Sequence, residues 1–348
     1  MINNESKVQR NSIYDLLRFI GIVCIVIAHM GVPPALFQIR NFDVPFLVIL
    51  SGIAYAEFST LHYGSYIRYV KKRFYRLVVP TWIFLSLYYM SFYNIEQLNI
   101  KEIIFSFSLL RHEDIGVWII RIFFSMALLA PVLYWLNSKL YSNRIFYLFI
   151  AFTFLFYVLI IVSAQMYLYG NVLTIFNVLF MYTIAYGLLY LYGIRINTFS
   201  RETIKKHFFV IAVVFLFYVV FYWLRDHTVY PTQNFKYPPE GYYLSYALMV
   251  SIALFYFAKF THLFDKLSKN TFIAFIGSST FWIYLWHWYI LKLYNLYGID
   301  LGYVLKFALI FISTVCIVYM QNQFLTYILT KMNLSEKIKK TLSTIFRG

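Results

Sequence analysis

Acidic side chains are scarce in this 348-residue chain, 14 against 30 Lys and Arg, and charged residues of either sign make up only 13%. A water-soluble protein of this length could bury a large core but would still need a charged skin, so the shortage argues for lipid as the solvent. Cysteine is nearly missing. Cys24 and Cys316 both fall inside apolar runs, where they read as small buried residues with little support for a disulfide. There is no HExxH and no cysteine pair, so no catalytic metal is expected. Internal repeats, low-complexity segments and a second soluble domain are also lacking.

What is present is apolar and aromatic: 61% of residues are hydrophobic and 22% are Phe, Trp or Tyr. Mean hydropathy is +0.67. Tyr and Trp recur near the ends of apolar runs, as headgroup-level belts require. The net charge of +16 raises the question of nucleic acid. The basic residues, however, lie in short clusters between apolar segments and not along one soluble face, so no nucleic-acid partner is expected.

A spanning helix needs about 20 apolar residues. That ruler predicts an all-α, polytopic helix bundle with ten spans, at 13–31, 42–58, 77–93, 117–137, 145–165, 172–192, 207–224, 242–259, 271–292 and 303–325. With the amino terminus inside, the cytoplasmic segments carry 21 Lys and Arg and the opposite side 6. That bias places both termini in the cytoplasm. The first span contains Arg18 and lacks a small-residue cleavage site, so it is expected to persist as a helix. Residues 1–330 form one transmembrane domain. In the tail, 331–348, Leu334, Ile338, Leu342 and Ile345 share a face with Lys337, Lys339 and Lys340 elsewhere, which predicts an amphipathic helix on the inner leaflet in contact with membrane lipids. The outer segment 225–241 has three prolines, which forbid a regular helix and favour an ordered cover or a turn.

Ionisable groups inside spans are costly and default to functional candidates. Arg18 and His29 are eleven residues apart, three helical turns plus about 20°, so both point from one face at roughly 16 Å axial separation. They can face a shared cavity, or they can be a snorkelling Arg and a His at a helix end. Arg73 and Arg76, with Lys72 beside them in a basic loop, would present two guanidinium forks on one helical face. Such forks suit a phosphate or pyrophosphate, or else anchor the chain to anionic lipid. Trp118 and Arg121 open the fourth span, where the Arg suits an anionic or polyhydroxyl ligand or simply snorkels. His287, between Trp286 and Trp288, fits either a sugar platform or an aromatic belt.

These segments resemble the acyltransferase-3 family of integral membrane acyltransferases. IYDLLRFIGIVCIVIAHMG carries Arg18 and His29 at the family's first-helix spacing, and VPFLVILSG carries its Ser-Gly as Ser51 and Gly52. KRFYRLVVP supplies the Arg-x-x-Arg, and IGSSTFWIYLWHWYI resembles the late signature through Ser279, Tyr284, Leu285 and His287. One departure is visible: Pro45-Phe46-Leu47-Val48 replaces the Asp-Leu-Phe-Phe run of many members, as in relatives of the sugar O-acetylases. Any role of that Asp is thereby unfilled or shifted to Asp43.

The resemblance implies transfer of an acyl group, acetyl by family default, from acetyl-CoA to a carbohydrate acceptor such as a surface polysaccharide or its lipid-linked precursor, at a bacterial inner membrane. It assigns Arg73 and Arg76 to the donor and Arg18 and His29 to catalysis; Lys72 is placed beside the donor pair, and Ser51, Trp118, Arg121, Tyr284 and His287 are placed on the acceptor side. His29 would serve as general base or as a transient acyl carrier, and a continuous cavity would join the Arg level to the His level. A transporter or flippase of a lipid-linked glycan is the alternative, since buried basic groups also suit a translocation path.

Overall fold

The computed structural model describes residues 12–58, 65–94, 99–110 and 116–347. Among them there is no strand, and helices α1 (Ser12–Ile27), α2 (Pro34–Ile39), α3 (Asp43–Phe58) and α4 (Tyr66–Phe92) open the bundle. Then come α5 (Ile100–Phe107), α6 (Val117–Lys139), α7 (Asn143–Tyr167), α8 (Gly170–Phe176), α9 (Tyr182–Ile196), α10 (Arg201–Asp226) and α11 (Gly241–Phe260). The short α12 (Asp265–Ser268) leads to α13 (Thr271–Ser278), α14 (Thr280–Leu296), α15 (Tyr303–Lys331) and α16 (Glu336–Arg347). His112, Glu113 and Asp114, and most of the loop before α4, lie outside the described residues.

Among the described residues, seven helical segments are long and apolar enough to cross a membrane: Pro34–Glu57, Val117–Lys139, Asn143–Tyr167, Val172–Ile196, Arg201–Asp226, Gly241–Phe260 and Tyr303–Lys331. Their outward faces are greasy. Val213 and Phe217 on α10 are 66% and 65% exposed, and Leu148, Phe152 and Leu155 on α7 are exposed too. In water such a surface would aggregate; in hydrocarbon it is the solvent-matched face.

Three expected spans differ in form. The segment 271–292 is two helices, broken at Ser279, whose N–H bonds back to Phe275 and Ile276. The break lets Gly277 press against the backbone of Asp15, where a Cβ would collide with the Asp15 carbonyl oxygen. The span expected to start at 77 starts at Tyr66, because Ser65 caps the helix by accepting from the Arg68 N–H. Arg68, Lys71, Lys72, Arg73 and Arg76 therefore sit on the first turns of α4 and not in a loop. The first helix stops at Ile27, and tightened turns bond His29 N–H to Val26 and Met30 N–H to Ile27.

Close backbone approach organises the centre. Gly52 on α3 and Gly193 on α9 face each other's helix, and a Cβ at either would strike a carbonyl oxygen, that of Tyr190 or of Ile49. Small residues at a helix crossing give dispersion contacts that larger side chains would hold apart. At one end of this layer Glu57 Oε1 accepts from Tyr14 Oη and from Asn197 Nδ2, both at 2.6 Å. Lys259 Nζ donates to Asn197 Oδ1 at 3.0 Å, so α1, α3, α9 and α11 are tied by one polar network.

The tail contains helix α16, and its last turn is docked. Ile345 is buried, Trp282 Nε1 donates to the Ile345 carbonyl at 3.0 Å, and Phe346 stacks on the Trp282 ring. Gln321 Nε2 donates to the Phe346 carbonyl, so these two side chains satisfy carbonyls that a helix end leaves orphaned.

Candidate active site

The turn after α1 holds His29 against a cavity of about 160 Å³. Its wall combines His29, Trp118, Tyr284 and Trp288 with the charged residues Arg40, Asp43 and Lys236. The segment between α10 and α11 forms the roof and contributes Lys236 and Tyr237. This is the proline-rich stretch expected to be an ordered cover. It contains a 3-10 turn, Thr232–Phe235, and is pinned at both ends. The Thr232 N–H donates to Gln38 Oε1 and Asn41 Nδ2 to Thr232 Oγ1, each at 2.9 Å; Tyr157 Oη donates to the Pro239 carbonyl at 2.5 Å.

Aromatic rings fix His29. The Trp288 ring centroid is 4.4 Å from that of His29, and the His287 centroid 5.3 Å. His287 is fully buried behind it, and neither of its ring nitrogens has a hydrogen-bond partner among the described residues. Tyr284 Oη donates to the Gly116 carbonyl at 2.5 Å. Gly116 caps α6 with φ +61°, and a Cβ there would collide with the Tyr284 hydroxyl and the Trp288 ring. Glycine is thus required twice over, for its left-handed backbone and for the space. This contact delivers Trp118, two residues on, to the cavity.

The charged part of the wall is a buried triad. Arg40 Nη1 meets Asp43 Oδ2 at 3.0 Å, and Lys236 Nζ lies 3.6 Å from Asp43 Oδ1, with all three side chains about 4% exposed or less. Asp43 Oδ1 also accepts from the Val44 N–H at 2.7 Å. Phe37 stacks under the Arg40 guanidinium at 3.7 Å, and Trp118, Tyr237 and Tyr243 surround the Lys236 ammonium with centroids at 5.7–5.8 Å. Burial pulls the Lys236 ammonium down to about 8, while Asp43 pulls the other way.

Of the residues singled out in the sequence, the structure brings His29, Trp118 and Tyr284 to one cavity and puts His287 directly against His29. The others lie elsewhere. Arg121 donates to the Leu109 and Leu110 carbonyls and borders a separate, much smaller cavity with Tyr182. Ser51 donates to the Leu47 carbonyl one turn back on α3, so its motif serves the Gly52 crossing. Arg18 pairs with the buried Asp15 at 3.2 Å. Arg73 and Arg76 are half-buried on α4, with the Arg73 guanidinium 5.2 Å from the Tyr69 ring, and Lys72 is exposed. The wall of the His29 cavity includes none of Arg18, Lys72, Arg73 or Arg76, so this cavity is not the continuous passage that was expected. Arg40 and Lys236, counted from the sequence as outer-loop charges, are instead buried in the site. The i, i+3 spacing of Arg40 and Asp43 was the available signal for two of the triad's three members.

A model of the acyltransferase-3 family, described as an acyltransferase domain, matches residues 11–320. The chain belongs to the acyltransferase-3 family. Neither a curated protein nor a solved structure matches it. The match runs from just before α1 into α15 and so covers the His29 cavity, the buried triad and the basic start of α4. As an acyltransferase-3 member with seven helices of membrane-crossing length among the described residues, the protein is a membrane acyltransferase.

Proposed function

We propose that the protein transfers an acyl group, acetyl in the simplest case, from acyl-CoA to a hydroxyl of a surface polysaccharide or its lipid-linked precursor. The observation that carries this reading is the placement of His29, in a chain of this family, on a cavity walled by Trp118, Tyr284 and Trp288. Aromatic faces suit the apolar faces of a sugar ring, and an imidazole within reach of a sugar hydroxyl suits general-base work.

In the proposed step the neutral His29 imidazole takes the acceptor hydroxyl proton as that oxygen attacks the thioester carbonyl. The new carbon–oxygen bond forms, the carbon–sulfur bond breaks, and the proton passes from His29 to the departing CoA thiolate. Arg73 and Arg76, with Lys72 alongside, hold the CoA phosphates through paired guanidinium forks, and Arg18 lies between them and the reacting end. Because the His29 cavity does not reach these residues, donor binding must open the intervening path. The topology we propose has ten passes, with α2–α3, α8–α9 and α13–α14 each counting as one, both termini in the cytoplasm and a bacterial inner membrane as the location.

The test is His29→Ala, with the surface polysaccharide examined by NMR. Loss of O-acyl signals by at least 100-fold, with unchanged polymer export, is the expected result. Loss of export with acylation intact would instead identify a glycan transporter.

A further inference from the structure

Charge balance in the His29 cavity is incomplete. Two cations, Arg40 and Lys236, share one carboxylate, Asp43, and all three are nearly sealed from solvent. The Lys236 ammonium has three N–H donors, yet its oxygen neighbours, Asn41 Oδ1 and Asp43 Oδ1, stand at 3.4 and 3.6 Å, beyond the usual range for such a bond. The faces of Trp118, Tyr237 and Tyr243 also lie around it, which attract a cation but offer no lone pair of an oxygen acceptor. Arg40 likewise keeps a buried Nε with no partner among the described residues. A cavity built for a neutral sugar alone gains nothing from an extra buried cation, which needs an anion to offset its desolvation.

We infer that Arg40 and Lys236 form an anion subsite within the His29 cavity, which takes a carboxylate or phosphate group carried by the acceptor close to the hydroxyl that is acylated. The inference rests on the acyl-transfer reading for the word acceptor; the anion subsite itself does not need it. The acceptor class it names is an acidic glycan, either a uronic-acid-type sugar or a sugar phosphate. The anion would complete a two-cation, two-anion arrangement and fix the sugar ring over Trp118 relative to His29.

Binding separates this inference from the activity. The full chain in lipid nanodiscs is titrated with methyl glucuronoside, methyl glucoside and inorganic phosphate, with thermal stabilisation and tryptophan fluorescence as readouts. At least one anion should bind about tenfold tighter than the neutral glucoside. Preference for the glucuronoside points to a carboxylate acceptor, and preference for phosphate to a phosphorylated one. Lys236→Met, which leaves the balanced Arg40–Asp43 pair in place, should bring that ratio to about one, and Lys236→Arg should keep most of it. Equal binding of anions and glucoside by the unaltered protein overturns the inference, as does a preference that survives Lys236→Met. Displacement of the bound anion by acetyl-CoA would assign the subsite to the donor and overturn its link to the acceptor. A protein that binds the anion but transfers no acyl group would keep the subsite and sink the enzymatic reading.

Discussion

Gly52 rests against the carbonyl oxygen of Tyr190 with no room for a Cβ between them. The Ser-Gly motif, which the sequence offers as a possible contact to substrate, thus serves as the crossing point of α3 and α9. Gly52→Ala is expected to cost about 1–3 kcal/mol, because overpacking at a backbone contact cannot be relieved by a rotamer change. Ser51→Ala should be near neutral, since that hydroxyl bonds only within its own helix. Thermal unfolding of the two variants in one detergent checks the contrast; equal melting points would refute the packing role.

Removing the carboxylate from the buried triad should be far worse than removing the ammonium. Asp43→Asn leaves two cations facing each other without compensation, and a loss of about 3–5 kcal/mol is expected. Lys236→Met leaves Arg40 and Asp43 as a balanced pair 3.0 Å apart and should be tolerated or stabilising. The comparison needs only unfolding curves and fails if Lys236→Met is the more damaging change.

The Lys236 ammonium, held down to about 8 from an ordinary 10.5, makes a pH signature. Below pH 8 it is charged in both folded and unfolded chains. Between about pH 8 and 10.5 the folded protein has released a proton that the unfolded chain keeps, so the Lys236 contribution to stability rises with pH across that window. Affinity for an anion should fall over the same range as the positive charge disappears. Subtracting the melting profile of Lys236→Met from that of the parent isolates the effect, and a flat difference from pH 7 to 10.5 would count against it.

Arg73→Ala should raise the half-saturating acetyl-CoA concentration about tenfold with turnover at saturation little changed, as expected for lost uniform binding of the donor. Steady-state kinetics at fixed acceptor measure this. If turnover falls and the donor requirement stays put, Arg73 is not a donor ligand.

How far the sequence could be read follows from what kind of pattern each feature leaves. The positions of α6, α7 and α11 were legible within a few residues, because unbroken apolar runs between polar ends mark length directly. Helix α4 was seen only from its apolar half, since a ruler that counts hydrophobic length discards the three basic turns after Ser65. The break at Ser279 was invisible because the apolar pattern runs through it, and the close approach of Gly277 to the Asp15 backbone leaves no local mark in the sequence. His29, Trp118 and Tyr284 were found as members of separate motifs, and tertiary packing gathered them. Lys236 could not be found at all, since no local spacing links it to Asp43, 193 positions earlier.

That same sequence distance bears on biosynthesis. Arg40 and Asp43 are three residues apart and reach the membrane together, so each cancels the other's charge while the first helices are being inserted. Lys236 arrives only after α10 has been made, when its partner carboxylate is already in place. The surplus cation thus joins an ion pair made before it, while Tyr284 and Trp288 of the cavity wall are added afterwards.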